Sequence, residues 1–175
     1  MNVKRLLFIS IAPGVAVAGI VLGLGFSGIR LNIASNSLPS GLYRIVPAYS
    51  GSDLLICPTG VAEKVSIERQ YRAKSFGCGD GYAPLLKPIA AWAGDTVTVN
   101  EGGVAVNGML LANSKQYPKD GIGRPMPLIP FGTYSVPPGT VWVISSYNRF
   151  SFDSRYFGPI RLDEKVKYAK PLWLF

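Results

Sequence analysis

Residues 97–108 read VTVNEGGVAVNG, two runs of Val, Thr and Ala meeting at Glu101–Gly103. Val and Thr favour extended backbone, and a glycine-bearing connection gives the tight reversal that joins two antiparallel strands. The stretch predicts a β-hairpin. Moving outward, "GLYRIV" (41–46), "GTYSV" (132–136) and "GTVWVIS" (139–145) have the same texture, separated by Gly, Pro and Asn turn signals. Residues 112–130 hold four prolines and two glycines and predict an exposed irregular loop. Residues 60–75, "GVAEKVSIERQYRAKS", place Val61, Val65 and Tyr71 at near-helical spacing and predict one short surface helix. No segment repeats. The body of the chain reads as one mostly antiparallel β domain, and 175 residues suffice for one core-bearing domain.

The amino terminus differs. Residues 6–29, "LLFISIAPGVAVAGIVLGLGFSGI", contain no charge. As a helix this run spans roughly 36 Å, enough for a hydrocarbon core of about 30 Å. A cleaved signal peptide has a shorter apolar core of about 7–15 residues and a small-x-small cleavage site, which is not evident here. Pro13 can kink such a helix without preventing a span. Lys4 and Arg5 before the run, against Arg30 after it, favour an internal amino terminus. The expectation is an uncleaved anchor over residues 1–30 and an exported domain over residues 31–175.

Composition agrees. Hydrophobic residues make up 48% of the chain and charged residues only 16%, which is apolar for a soluble domain. The net charge of +8 suits a surface near anionic lipid; the scattered Lys and Arg form no dense stripe, so no nucleic-acid partner is expected. In an oxidising compartment Cys57 and Cys78 are expected to form a disulfide, with two buried thiols as the alternative. There is no histidine at all. That excludes Ser-His-Asp and Cys-His chemistry and every His-based zinc site, and two cysteines cannot make a four-thiolate site. Hydrolysis by this chain must use Lys, Tyr or carboxylates as acid and base.

Three distant segments carry groups suited to that. "ASNSLPSGLYRI" (34–45) clusters Ser35, Ser37 and Ser40 around Pro39 and Gly41, just after the apolar run. "PLLKPIAAWAGDTVTV" (84–99) sets Lys87 among Leu85, Leu86, Ile89 and alanines. Burial would lower the pKa of that amine, because its charged form loses hydration; the alternative is a lysine whose stem packs while its amine reaches water. "YNRFSFDSRYFGPI" (147–160) interleaves Asn148, Arg149, Ser151, Asp153, Ser154 and Arg155 with aromatics. Asp153 and Arg155 lie two apart, so on a strand both point the same way and can hold an ion pair; a solvated turn is the alternative.

Taken in order, membrane helix, "SNSLPSGLY", "LLKPIAAWAGDTV" and "NRFSFDSRYFGPI" resemble the type I signal peptidase clan of serine-lysine proteases, and most closely its TraF branch of conjugative-transfer signal peptidases. The likeness covers nearly the whole chain, and S-x-D-S-R-Y-x-G is its most specific part. S-x-P-x-G-x-Y, from Ser37 to Tyr43, is characteristic of the TraF branch. Two positions depart from the clan: Pro88 follows Lys87 where Arg is common, and the spacing from Asn148 to Ser151 is one residue short. The resemblance implies a mainly β fold, an antiparallel β signal-peptidase-like catalytic domain preceded by one N-terminal transmembrane helix. It implies Ser37 as nucleophile, Lys87 as general base and Ser151 as the hydroxyl orienting the lysine. Ser35 then corresponds to a side-chain oxyanion donor, and Asp153 with Arg155 to a supporting pair.

The residue types fit the task. A serine hydroxyl needs an adjacent base, and a neutral lysine amine serves once its pKa falls from about 10.4 to roughly 7–8. A nearby free carboxylate would oppose that fall, so Asp153 is expected to bind Arg155 and not Lys87. The Ser37 N–H and the Ser35 hydroxyl are the expected oxyanion donors, and Pro39 with Gly41 the expected turn. No cofactor or metal is called for. The resemblance further implies a cytoplasmic-membrane protein with its catalytic domain in the periplasm, and a precursor substrate held at the bilayer as an added strand. For the TraF branch that precursor is the conjugative pilin, with contacts to other transfer-apparatus proteins and, in some members, closure of the pilin into a ring. A general signal peptidase with broad substrates and a non-catalytic membrane-tethered β module are the rival readings.

Overall fold

The computed structural model describes residues 23, 27–33, 35, 37–163 and 165–175. The apolar run expected to cross the membrane falls almost wholly outside that set. Among the described residues no helix is long and apolar enough to cross a membrane. Strand β1 (Ile29–Asn32) begins inside the run.

The hairpin expected at residues 97–108 is present. β5 (Thr96–Asn100) pairs with β6 (Gly103–Val106) in antiparallel register, Val97 facing Val106 and Val99 facing Val104. β7 (Met109–Leu110) and β8 (Gly132–Ser135) complete a four-stranded sheet in the order β7-β6-β5-β8. Alternation along β5 buries Val97 and Val99 against Val104, Val136, Trp142 and Ile144. A larger sheet is built from β1, β2 (Gly41–Val46), β3 (Asp53–Ile56), β4 (Leu85–Ala91), β9 (Thr140–Val143), β10 (Ile160–Arg161) and β11 (Lys167–Leu174). Its order is β1-β2-β11-β3-β4-β9-β10. Every named strand pair is antiparallel. Leu54, Ile56, Leu85, Val141, Val143 and Tyr168 form its core.

Gly41 was expected to shape a turn; instead it lies in β2. A Cβ there would collide with the Trp173 carbonyl and Leu174 of β11, so the missing side chain lets two strands meet. The helix expected over residues 60–75 is α1, Gly60–Glu68, and is shorter. It buries Ala62, Val65 and Ser66 and stops because Gln70 turns left-handed, with φ 58°. Beyond it the side chains have other partners: Arg69 and Tyr71 bind Asp120, and Arg72 binds Asp80 through two nitrogens. The disulfide Cys57–Cys78 then ties this return segment to the end of β3. Residues 112–130 are irregular as expected, but not simply exposed, since Ser114 and Gln116 are buried. Gln116 donates to the carbonyls of Ile129 and Arg155, which fastens the loop to the molecule.

Candidate active site

The site lies where three parts of the fold converge. β4 is central, and its Lys87 is only 3% exposed. The loop between β1 and β2 brings Ser37, and the loop after β9 brings Ser151; both serines are buried. Lys87 Nζ lies 2.5 Å from Ser37 Oγ and 3.1 Å from Ser151 Oγ, and the two hydroxyls are 3.0 Å apart. Each of the three groups thus touches the other two. Ser151 was expected to orient the lysine; it contacts the Ser37 hydroxyl as well. The alternative of an amine reaching water does not hold for Lys87.

Burial strips water from that amine and lowers its pKa to about 8; the Asp153 carboxylate pulls it up and the Arg155 guanidinium pulls it down again. The opposition of the last two follows from their pairing. Arg155 Nε donates to Asp153 Oδ1 at 2.7 Å and Nη2 to Oδ2 at 2.9 Å, with both side chains fully buried. The expected ion pair is present, but not for the reason of strand alternation. Asp153 is the N-cap of a one-turn helix, α2 (Ser154–Phe157), and its carboxylate accepts from the Arg155 N–H. Arg155 also donates to the carbonyls of Asn113, Arg149 and Ser145, so one buried guanidinium ties the 112–130 loop to the loop after β9.

The turn at residues 37–40 is held by side chains to which the sequence assigns no role. Asn32 Nδ2 donates to the Pro39 carbonyl at 3.0 Å, and its Oδ1 accepts from the Ser35 N–H at 3.2 Å. The Tyr43 hydroxyl donates to the same Pro39 carbonyl at 2.9 Å, which gives the tyrosine of S-x-P-x-G-x-Y a local function. Ser145, missed altogether, donates its hydroxyl to the Ser37 carbonyl at 2.6 Å. No local signal marks a residue whose partner lies 108 positions away. The two expected oxyanion donors adjoin, but in this state the Ser37 N–H donates to Ser35 Oγ at 3.3 Å.

A cleft of about 860 Å³ opens onto Ser37, Lys87 and Ser151. Ile33, Leu86, Phe150 and Tyr71 contribute to its wall, with Lys119 and Lys167 among its basic residues. β4 pairs with β3 from Leu85 to Pro88, but with β9 only at Ile89 and Ala91. Among the described residues no strand pairs with the β9-side edge of Leu85–Lys87, and that edge lines the cleft.

Comparison with known proteins identifies the family. Residues 3–173 match the family described as signal peptidase, peptidase S26. The plasmid transfer protein TraF of Escherichia coli is 36% identical over 171 residues, covering 93% of this chain and 94% of that protein. The probable conjugal transfer protein TraF of Sinorhizobium fredii (strain NBRC 101917 / NGR234) is 37% identical over 155 residues, covering 83% and 77%. The conjugal transfer protein TraF of Agrobacterium fabrum (strain C58 / ATCC 33970) is 31% identical over 172 residues, covering 96% and 94%. Among solved structures, the signal peptidase I of Enterococcus faecalis V583 aligns with a TM-score of 0.33 at 17% identity, covering 67% of this chain and 92% of that one. On the family match and the near full-length identity to the TraF proteins, this chain belongs to the S26 family of signal peptidases.

Proposed function

We propose that this chain is a membrane-anchored serine endopeptidase that processes an exported precursor of a conjugation apparatus, most simply its pilin, by a Ser37–Lys87 dyad. The observation that carries the reading is the 2.5 Å approach of a buried lysine amine to a buried serine hydroxyl in a chain without histidine. The names of the TraF relatives support the conjugative setting.

In this mechanism Ser37 Oγ attacks the scissile carbonyl carbon while the neutral Lys87 amine takes its proton. The substrate oxygen displaces Ser35 from the Ser37 N–H, and the freed Ser35 hydroxyl donates to the same oxyanion. Collapse of the tetrahedral adduct expels the leaving amine, which regains the proton from Lys87, and an ester remains on Ser37. Water deprotonated by Lys87 then hydrolyses the ester. An amine supplied by the precursor itself attacks the same ester to form a new peptide bond, and this route closes a ring without any further site. Asp153 and Arg155 support the corner that holds Ser151. The unpaired edge of Leu85–Lys87 supports docking of the substrate as an added strand.

The lipid partner and the periplasmic placement rest on the apolar run of residues 6–29 and on one face of the sheet edge. Leu31, Leu42 and Trp173 form a cross-strand row there, and Ile29, Arg44 and Lys170 form the next row on the same face. Leu31 and Trp173 are exposed. An apolar row with a tryptophan, flanked by two cations, suits a bilayer surface with anionic headgroups.

Mass spectrometry of candidate pilin precursors incubated with wild-type protein and with Ser37→Ala and Lys87→Ala tests the reading. Wild type yields a cut or ring-closed product, and both variants yield none. Turnover by either variant removes the dyad, full biological function of Ser37→Ala favours the non-catalytic module, and efficient cleavage of unrelated secretory precursors favours the general signal peptidase.

A further inference from the structure

We propose that Ser145 is a positioning residue for the nucleophile, coupling the buried Asp153–Arg155 pair to the backbone of Ser37. The inference rests on the reading of Ser37 as the attacking group.

Ser145 is completely buried, two positions beyond the end of β9. All of its polar atoms are engaged. Its N–H donates to Asp153 Oδ2 at 3.0 Å, and its carbonyl accepts from Arg155 Nη2 at 2.8 Å. Its hydroxyl accepts from the Asn148 N–H at 3.1 Å and donates to the Ser37 carbonyl at 2.6 Å. The backbone of Ser145 is therefore clamped by the ion pair from two sides. Its side chain has one free direction for its proton, and that direction is taken by Ser37.

The bond to the Ser37 carbonyl matters because the peptide plane after Ser37 sets ψ at that residue. Rotation about ψ swings the carbonyl against the N–H and Cβ, and hence against the two atoms Ser37 brings to the reaction. With the carbonyl pinned, the hydroxyl is aimed at Lys87 Nζ and Ser151 Oγ, and the N–H stays beside Ser35. Substrate contacts need not change when this bond is lost, since Ser145 is not among the residues lining the cleft. The distinctive outcome is a slower chemical step at unchanged substrate affinity. Misplacing a reacting group by about 1 Å costs on the order of 100-fold in rate.

Ser145→Ala removes only the hydroxyl and leaves both backbone bonds to the ion pair in place. The test uses the full chain in detergent, titrated with an irreversible phosphonylating probe for nucleophilic serines and assayed in parallel on precursor. The titrated fraction of molecules counts folded sites, and the rate of modification per site reports how well the nucleophile is aimed. Ser145→Ala is expected to titrate to the same fraction as wild type, with the per-site rate and kcat falling about 10- to 100-fold and KM changing less than about twofold. Ser145→Cys fills the site with a slightly larger side chain that donates a weaker hydrogen bond, so it gives a smaller loss in the same direction and serves if the alanine variant does not fold. A wild-type rate per site in either folded variant overturns the proposal. So does a loss confined to the titrated fraction, which is what a merely structural residue would give. Ser37→Ala is the separating control: labelling that persists in it sinks the dyad itself, whereas no labelling in it together with a full rate in Ser145→Ala sinks only the role of Ser145.

Discussion

At the residue scale the decisive quantity is the proton on Lys87. In the proposed reaction its amine acts when neutral, and burial brings its pKa down to about 8. Under the proposed mechanism kcat/KM rises with pH, by about tenfold per unit well below 8, and levels off above it. A pH–rate profile with a midpoint near 10.4, the ordinary lysine value, would mean that the amine stays cationic in the working enzyme. Sequence alone exposed the ingredients of this site: a lysine in an apolar run, serines beside Pro and Gly, and an aspartate two positions from an arginine. It could not show Asn32, Tyr43 and Ser145 closing around the serine turn, because each acts through a backbone carbonyl, and carbonyls leave no mark on residue identity.

At the element scale, strand texture predicted the hairpin well because β5 and β6 are adjacent in sequence and half-buried, where alternation is plainest. Prediction of α1 overran its end. Tyr71 continues the apolar spacing of the helix, but it packs on Phe152 from the following loop, with ring centroids 5.4 Å apart. Likewise the strand-based case for the Asp153–Arg155 pair gave the right partners by the wrong geometry, since a cap and a single helical turn can bring the two together as well as a pleat. The disulfide has an element-scale consequence. It closes a loop over 21 positions, and Cys57, Arg72, Ser75 and Gly77 within that loop line the cleft. The double variant Cys57→Ser/Cys78→Ser is expected to lose about 3 kcal/mol of stability, read as a fall of about 10 °C in Tm. It should also raise KM more than it lowers kcat, because the wall loosens while the dyad keeps its neighbours. An unchanged KM in the folded double variant would show that this wall does not hold the substrate.

At the scale of the whole molecule, the mainly β architecture was readable from short β-prone runs, but the strand order was not. Pairing partners separated by more than a hundred residues are chosen by the assembled core and not by local pattern; β2 with β11 is such a pair, and Gly41 becomes intelligible only once β11 lies against it. The same pairing creates the row of Leu31, Leu42 and Trp173 proposed to meet the bilayer. In full-length protein reconstituted into anionic lipid discs, brominated acyl chains should quench part of the tryptophan emission, and Trp173→Phe should abolish that part. Trp142 is buried in the core of the molecule and serves as the internal reference. Quenching undiminished in Trp173→Phe would place this face away from lipid.

Strand β11 lies between β2 and β3, the one leading away from the serine turn and the other bordering the lysine strand. Ser37 and Lys87 both emerge from the ribosome long before the eight residues of β11 that bring their strands into one sheet. Until β11 is in place, the backbone pairing that joins β2 to β3 is missing. Under the proposed mechanism, a copy without β11 lacks the backbone pairing that joins the strand after the serine turn to the strands around the lysine, and its hydroxyl goes unactivated.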